Sequence, residues 1–303
     1  MVRTIRNILL GIVLLLSLDS CNTQYYMYSS FHEPATDGLR FLYSKNGATW
    51  NSVPGVWLKP EVGSQRVMRD PSILQTPDGT FHLVWTSSWK GDRGFGYASS
   101  KDLRHWSPER YIEVMSDTST VNVWAPELFY DDGNEQLMIV WASCVPFKFE
   151  KGMEEEYNNH RLYYTTTKDF QHFTPAKLLM DPGFSTIDAT LLKRGKGDYV
   201  MVLKDNTRLN RNLKISFARS PYGPWSPASD SFTENFVEGP SVAKVKKGYL
   251  IYYDRYRKLD FGAMFTTDFK HFTDATSKVS VPPLHKHGTI FKASSKIVKG
   301  LLQ

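Results

Sequence analysis

The chain contains very little cysteine. Of its 303 residues only Cys21 and Cys144 are cysteines, and Cys21 belongs to an N-terminal segment that we expect to be processed. Cys144 then has no partner for an intramolecular disulfide in the mature chain, and we expect it to be a buried, inert thiol.

The sequence also lacks blocks of like charge. Its 37 Lys and Arg residues against 31 Asp and Glu give a net charge of +6, and the basic residues are scattered rather than clustered. This distribution argues against nucleic acid as a partner.

Long helical and long apolar segments are missing as well. Outside the N-terminus, no stretch of ten or more residues shows a convincing 3.6-residue period, so the sequence does not predict a helical fold. The apolar run at 8–16 is too short to span a bilayer, and Arg3 and Arg6 precede it, as in a signal peptide.

The N-terminal segment resembles a bacterial lipoprotein signal, with Leu18 and Ser20 placed before Cys21. The resemblance implies that residues 1–20 are removed, that Cys21 carries a lipid, and that residues 21–37 form a tether. We therefore expect a bacterial cell-envelope protein, lipid-anchored at the periplasmic or outer-membrane surface. The alternative is ordinary secretion with cleavage nearby.

What the chain does have is a repeat of about 50 residues. Five short motifs lie at 68–72, 123–127, 186–190, 237–241 and 286–290, and each contributes one titratable side chain: Asp70, Glu127, Asp188, Glu238 and His287. Such a period indicates an array of similar supersecondary units. We expect the five side chains to occupy the same local setting and to converge on one axis.

A second repeat runs in phase with the first. Each unit contains a turn that ends in an aromatic residue, at Trp50, Trp106, Phe173, Trp225 and Phe272. Between each titratable motif and the next aromatic turn lie β-branched and aromatic runs bounded by Gly, Asp and Asn turns. This is the pattern of β-hairpins.

Five units of several strands each predict an all-β, five-bladed β-propeller over residues 38–303. The last inner strand, at 287–291, lies near one chain end, and its aromatic turn, at 39–50, lies near the other. Both chain ends should therefore build the closing blade. An open β-solenoid and a two-sheet sandwich are the alternatives.

The converging groups include the carboxylic acids that cleavage of a glycosidic bond needs. That reaction needs one carboxylic acid to protonate the leaving oxygen and one carboxylate to activate water or attack carbon. The two pKa values must differ, and a third carboxylate is one way to separate them.

At these motifs the chain resembles glycoside hydrolase family 43, over roughly residues 38–300. The resemblance implies that Asp70 is the general base, Glu238 the general acid, and Asp188 the residue that tunes and orients the acid. It implies that Glu127 belongs to a second-blade motif, where a structural carboxylate and a substrate contact are both open. It also implies that His287 faces the channel, either as a satisfied histidine or linked to an ion, commonly calcium.

Further candidates for sugar contact are aromatic and basic residues near the inner strand ends. A sugar's apolar face stacks on aromatic rings, and cations bind its hydroxyls. The candidates are Arg69, Trp89, Trp124, Phe184 and Arg255, with blade packing as the alternative for each aromatic ring.

The resemblance implies an inverting glycoside hydrolase that acts on plant-type polysaccharide or oligosaccharide and requires no cofactor. α-L-Arabinofuranosidase is the first expectation, followed by β-xylosidase, as on xylan, and by a galactan- or galactofuranose-directed hydrolase. The Asn-Asp-Pro-Asn-Gly and Glu-Cys strings of retaining fructosidases do not occur. Non-catalytic propellers that bind surface glycans or proteins are the alternatives of another class. We expect a monomer that meets membranes only through its lipid.

Overall fold

The structure is a computed structural model that describes residues 24–303. The predicted signal peptide and the lipidation site at Cys21 lie outside the described residues. The strands are, in chain order, β1 (Gln24–Ser30), β2 (Arg40–Ser44), β3 (Asn51–Val53), β4 (Arg69–Gln75), β5 (Phe81–Thr86), β6 (Gly94–Ser100), β7 (Arg110–Glu113), β8 (Trp124–Asp131), β9 (Gln136–Cys144), β10 (His160–Thr167), β11 (Lys177–Met180), β12 (Thr186–Gly195), β13 (Asp198–Asp205), β14 (Asn212–Ala218), β15 (Glu238–Val245), β16 (Gly248–Arg255), β17 (Asp260–Thr266), β18 (Thr273–Asp274) and β19 (Ile290–Ser294). One α-helix, α1 (Ser295–Leu301), follows β19.

These strands form five antiparallel sheets, which confirms the predicted five-bladed β-propeller. Blade one is β4 to β7, blade two β8 to β11, blade three β12 to β14, and blade four β15 to β18. The closing blade has the order β19-β1-β2-β3, so both chain ends build it, as predicted. The first strand of each blade contacts its counterparts in the two neighbouring blades, and these five strands surround the central channel.

The predicted tether is wrong from Gln24 onward, because β1 is the second strand of the closing blade. It pairs with β19 on one side and β2 on the other, and it joins the two chain ends. Its side chains are buried on both faces: Met27 packs with Phe41, and Tyr28 packs against Trp50. Without β1, the edge of β19 would have no strand to pair with.

The cores lie between adjacent blades. Trp85 and Trp141, which sit inside strands, are fully buried at such blade interfaces. The free thiol of Cys144 is buried, as predicted. Within residues 24–303, no helix is long and apolar enough to cross a membrane.

The propeller has two distinct faces. We call the face where the inner strands begin the upper face, and it carries Asp70, Asp188 and Glu238. We call the opposite face the lower face. It consists of the turns that join first to second and third to fourth strands, together with the C-terminal segment: 44–50, 76–80, 101–106, 131–135, 168–173, 193–198, 219–225, 244–248, 267–272 and 292–300.

Candidate active site

A β-bulge opens four of the five inner strands at the upper face. The register of β4, β8, β12 and β15 with the next strand shifts within the first residues of each. The second residue of each bulge has a left-handed backbone, with φ of 51° at Asp70, 45° at Ala125, 50° at Asp188 and 61° at Gly239. Bulges redirect side chains, and left-handed non-glycine residues cluster at functional sites.

The expectation that the five titratable residues share one setting is wrong. Asp70 and Asp188 occupy the left-handed position of the bulge, whereas Glu238 comes one residue before it and Glu127 two residues after it. His287 lies three residues before the last inner strand, β19, whose pairing with β1 has no bulge. The same motif therefore sends its titratable group in different directions.

Glu127 consequently lies in the channel and does not line the pocket at the upper face. Its carboxylate accepts hydrogen bonds from Thr190 Oγ1 at 2.9 Å and Thr289 Oγ1 at 2.7 Å, and so joins blade three to the closing blade. Burial raises the pKa of Glu127, against these hydrogen bonds. Of the two possibilities for this residue, the structure supports the structural carboxylate.

The three acids and His287 meet in one pocket of about 210 Å³ at the upper face. The other residues that line it come from blades one to three and their loops: Arg69, Thr86, Trp89, Trp124, Asn158, Ile187, Lys204, Asn206 and Arg211. This volume is below the roughly 300–1,000 Å³ of sites for drug-sized ligands, so the pocket suits a small group such as one sugar ring.

Asp70 is held as a carboxylate by two hydrogen bonds. His287 Nδ1 donates to Oδ1 at 3.1 Å, and Thr86 Oγ1 donates to Oδ2 at 2.9 Å. Burial opposes ionisation, but the hydrogen bond and charge of His287, with help from Arg69, outweigh it and lower the pKa of Asp70. Asp70 is therefore ionised at neutral pH.

His287 is the cation at the centre of the three acids. Burial lowers its pKa, but the hydrogen bond to Asp70 and the charges of Asp70 and Asp188 outweigh burial and raise the pKa to about 9. A protonated imidazole has both ring nitrogens as donors, which fixes the orientation of Asp70.

Glu238, which is half-buried, forms an ion pair with the buried Lys204. Lys204 Nζ donates to Oε2 at 2.9 Å, and the lysine side chain is only 3% exposed. Burial raises the pKa of Glu238, but the charge and hydrogen bond of Lys204 outweigh burial and lower it. The expected protonated acid is therefore not what the resting pocket holds.

Asp188 acts on Glu238 through the backbone. Its Oδ2 accepts a hydrogen bond from the N–H of Gly239 at 3.1 Å, next to Glu238 in sequence. A side chain at Gly239 would place Cβ 2.3 Å from His287 Cγ, so only glycine fits between the acids and the imidazole. Burial raises the pKa of Asp188, with smaller contributions from the charges of Glu238 and Asp70.

Three of the predicted sugar contacts, Arg69, Trp89 and Trp124, line the pocket and are linked to one another. The Arg69 guanidinium lies 4.0 Å from the centre of the Trp89 ring and donates to Glu33 Oε1 at 2.7 Å. Trp124 stacks on His160 at 4.8 Å and donates its Nε1–H to the carbonyl of Trp89 at 3.0 Å. Trp89 remains 45% exposed, so its ring is accessible to a ligand.

The predictions for Phe184 and Arg255 are wrong, since neither lines the pocket. Phe184 packs against the core between blades two and three. Arg255 is bound in ion pairs with Glu234 and Asp260 at a separate surface depression. Both residues are close in sequence to strand ends, but this position does not determine the direction of the side chain.

A second pocket of about 240 Å³ adjoins the first and shares Arg69, Asp70, Glu238 and His287 with it. Its further lining comes from blade four and the closing blade: Phe31, Glu33, Asp254, Tyr256, Leu259 and Lys286. Asp254 pairs with Lys286 Nζ at 3.1 Å, and burial raises its pKa to about 6. The buried Tyr256 hydroxyl has no hydrogen-bond partner within residues 24–303, so it can bind a ligand.

The sequence reasoning missed Lys204 and the polar groups Asn158, Asn206 and Arg211. A lysine at the end of the apolar run of β13 is the one available signal, because a charged residue there must be paired when the strand is buried.

The calcium ion that the resemblance implies stays a prediction. Within the described range, no group of three or more His, Cys, Asp or Glu side chains is placed to hold a metal. The Nδ1 atom of His287 is hydrogen-bonded to Asp70, and the raised pKa of His287 keeps its imidazole protonated. A protonated imidazole does not suit a ligand of a metal ion.

Comparison with known proteins supports the chemistry that these acids indicate. A family model for a probable glycosyl hydrolase domain, related to glycoside hydrolase family 43, matches residues 22–296. An α-L-arabinofuranosidase from Bifidobacterium longum subsp. longum is 27% identical over 154 residues, which is 42% of this chain and 14% of that protein. The chain thus spans a small part of this relative's length.

Solved structures share the fold. An endo-arabinase from Bacteroides thetaiotaomicron superposes with a TM-score of 0.59 at 14% identity, covering 87% of this chain and 92% of that one. An α-L-arabinofuranosidase from Clostridium thermocellum gives a TM-score of 0.57 at 14% identity, with the same coverage of 87% and 92%. At this identity the structural likeness establishes the fold alone. The family match, by contrast, covers nearly the whole described chain, and the protein belongs to the family of probable glycosyl hydrolase domains related to glycoside hydrolase family 43.

Proposed function

We propose that the protein is an inverting glycosidase that removes terminal α-L-arabinofuranosyl residues from plant-type polysaccharide or oligosaccharide. The observation that carries the proposal is the meeting of Asp70 and Glu238 in one small pocket at the channel mouth. The family match supports hydrolysis of a glycosidic bond, and the partial relative from B. longum supports the arabinofuranosyl group.

Asp70 is the proposed general base. Its two hydrogen bonds, from His287 and Thr86, keep it ionised and fix its plane, while each oxygen retains a lone pair for a water proton. Water activated by Asp70 attacks the anomeric carbon on the face opposite the leaving group.

Glu238 is the proposed general acid, and it must gain a proton before it can give one to the leaving oxygen. We assign Lys204 the role of a substrate ligand that controls this step. When its ammonium donates to a hydroxyl of the bound sugar, its hold on Glu238 weakens and the pKa of Glu238 rises. Asp188 keeps the backbone of Glu238 in place through Gly239.

The two adjoining pockets fit the two sides of the bond that is cleaved. The first offers the Trp89 ring and the donors of Lys204, Asn206 and Arg211, which suit the apolar face and hydroxyls of the sugar released. The second, beyond Asp70 and Glu238, takes the leaving sugar. The small volume of the first favours removal of single terminal sugars.

A panel of substrates tests the proposal. Aryl α-L-arabinofuranoside, aryl β-xyloside, arabinan, arabinoxylan and galactan are incubated with the wild-type protein and with Asp70→Asn. We expect release of arabinose by the wild type alone, with the first-formed anomer inverted by NMR. Release of xylose or galactose would replace the sugar in the proposal, and a retained anomer would remove Asp70 from the role of base.

A further inference from the structure

Basic residues are scattered along the sequence, but they outnumber acidic residues only on the lower face. Its ten segments contain 15 Lys and Arg against 8 Asp and Glu, a net charge of +7. The other residues of 24–303 contain 20 basic and 22 acidic residues, a net charge of −2. The net positive charge of the folded domain therefore comes from the lower face alone.

Much of the acidic charge on the lower face is already committed. Asp78 pairs with Lys101 and Asp132 with Lys193. The exposed lysines at the end of blade four, Lys244, Lys246 and Lys247, have no ion-pair partner within the described chain. They remain available to an anionic partner.

The N-terminal segment enters the fold at this same face. Gln24 starts β1 opposite Ser294, directly before α1. With Lys193, Lys244 and Lys292, Gln24 borders the lower opening of the channel. Cys21 is three residues upstream of Gln24. Three extended residues span about 10 Å, close to the Debye length of about 8 Å at physiological ionic strength.

We propose that the lower face lies on an anionic lipid surface, with the lipid of Cys21 inserted beneath it. The lipid of Cys21 would anchor the chain, and the basic lower face adds an electrostatic attraction to an anionic leaflet, which orients the propeller on it. Lysines near an anionic leaflet contribute about fivefold each to binding. In this orientation the pocket at the upper face points away from the membrane.

Binding to vesicles tests the electrostatic part. The full chain is floated with vesicles of phosphatidylcholine alone or with 30% phosphatidylglycerol. The lower-face variant carries Lys244→Glu, Lys246→Glu, Lys247→Glu and Lys292→Glu. The matched control carries four charge reversals on the upper face: Arg66→Glu, Lys90→Glu, Lys151→Glu and Lys258→Glu.

We expect the wild type and the control to bind anionic vesicles at least tenfold more tightly than neutral ones, with the difference falling at high salt. The lower-face variant should lose this difference. Equal loss in both variants, or no preference for anionic lipid, overturns the proposal. Binding of the lower face to polygalacturonate but not to vesicles overturns it in favour of an acidic polysaccharide.

Orientation is tested by fluorophores at two exposed threonines on opposite faces. Thr267→Cys lies on the lower face and Thr118→Cys on the upper face, and buried Cys144 does not compete for the label. A lipid-borne quencher should reduce emission at position 267 and leave position 118 unchanged. Equal quenching at the two positions, or quenching only at 118, contradicts the orientation.

Discussion

The two faces of the propeller use the same residue types for different purposes. At the upper face, bulged strand starts bury Asp70 beside His287, and the low dielectric makes their mutual interaction strong. At the lower face, Asp102 sits in an exposed turn, where Oδ1 accepts the backbone N–H groups of Arg104 and His105, both at 2.9 Å. Both aspartates have lowered pKa values, but Asp102 is committed to its own turn, whereas Asp70 faces a pocket. The difference shows that burial at a cavity, rather than a shifted pKa, distinguishes a reactive carboxylate from a structural one.

The largest expected effect is on catalysis at the upper face. Asp70→Asn should lower kcat by about 10²–10⁴-fold, because the general base is lost while the side chain keeps its shape. The matched change on the lower face, Asp102→Asn, should leave kcat within about twofold of the wild-type value. Initial rates on the preferred aryl glycoside measure both. Comparable losses of kcat in the two variants would show that the two faces do not differ in function.

Glu238→Gln should lower kcat by a similar factor on natural linkages and by much less on aryl glycosides with good leaving groups. Such leaving groups need little protonation, so the loss should shrink as the pKa of the phenol falls. A loss independent of the leaving group would mean that Glu238 does not donate the proton. Circular dichroism checks that the variant is folded.

A smaller effect is expected from Lys204, which lines the pocket at the upper face. Lys204→Met removes the charge that lowers the pKa of Glu238, so the basic limb of the kcat/KM profile should move to higher pH. KM should rise as well, because a sugar hydroxyl loses its donor. Lys247→Met, on the lower face, should change neither the basic limb nor KM. An unmoved basic limb in Lys204→Met would show that Glu238 does not set it.

The smallest expected effect is on stability. The pKa of His287 is raised to about 9 in the fold, so its contribution is fully present below about pH 6.5 and is lost as pH rises through 9. His287→Gln should therefore cost on the order of 2 kcal/mol at pH 6 and less at pH 10. Urea denaturation at the two pH values measures it. A larger cost at pH 10 would contradict the raised pKa.

The sequence predicts the fold well because its repeats are local. Motifs about 50 residues apart and the aromatic turns between them indicate five similar units and a closing blade from both chain ends. The strand β1 was missed because no turn marker precedes Gln24, and its burial depends on pairing with β19, more than 250 residues away.

The site was predicted only in part, for two physical reasons. The motifs identify Asp70, Asp188 and Glu238, but the bulge that directs Glu127 into the channel depends on the register between strands, which a motif does not specify. The pairing of Lys204 with Glu238 joins two blades, and the basic lower face joins turns from all five. Such contacts exist only once the ring is assembled.

Ring closure also has a consequence for how the protein is made. The chain is synthesised from its N-terminus, so β1 emerges first and has no inner partner until the ribosome has reached β19. His287, which holds Asp70 in place, is added only after the four carboxylates of the motifs. A chain that stops short of position 287 can fold none of the closing blade's inner strand and cannot orient its base. Hydrolytic competence thus requires synthesis through β19, the strand that closes the ring.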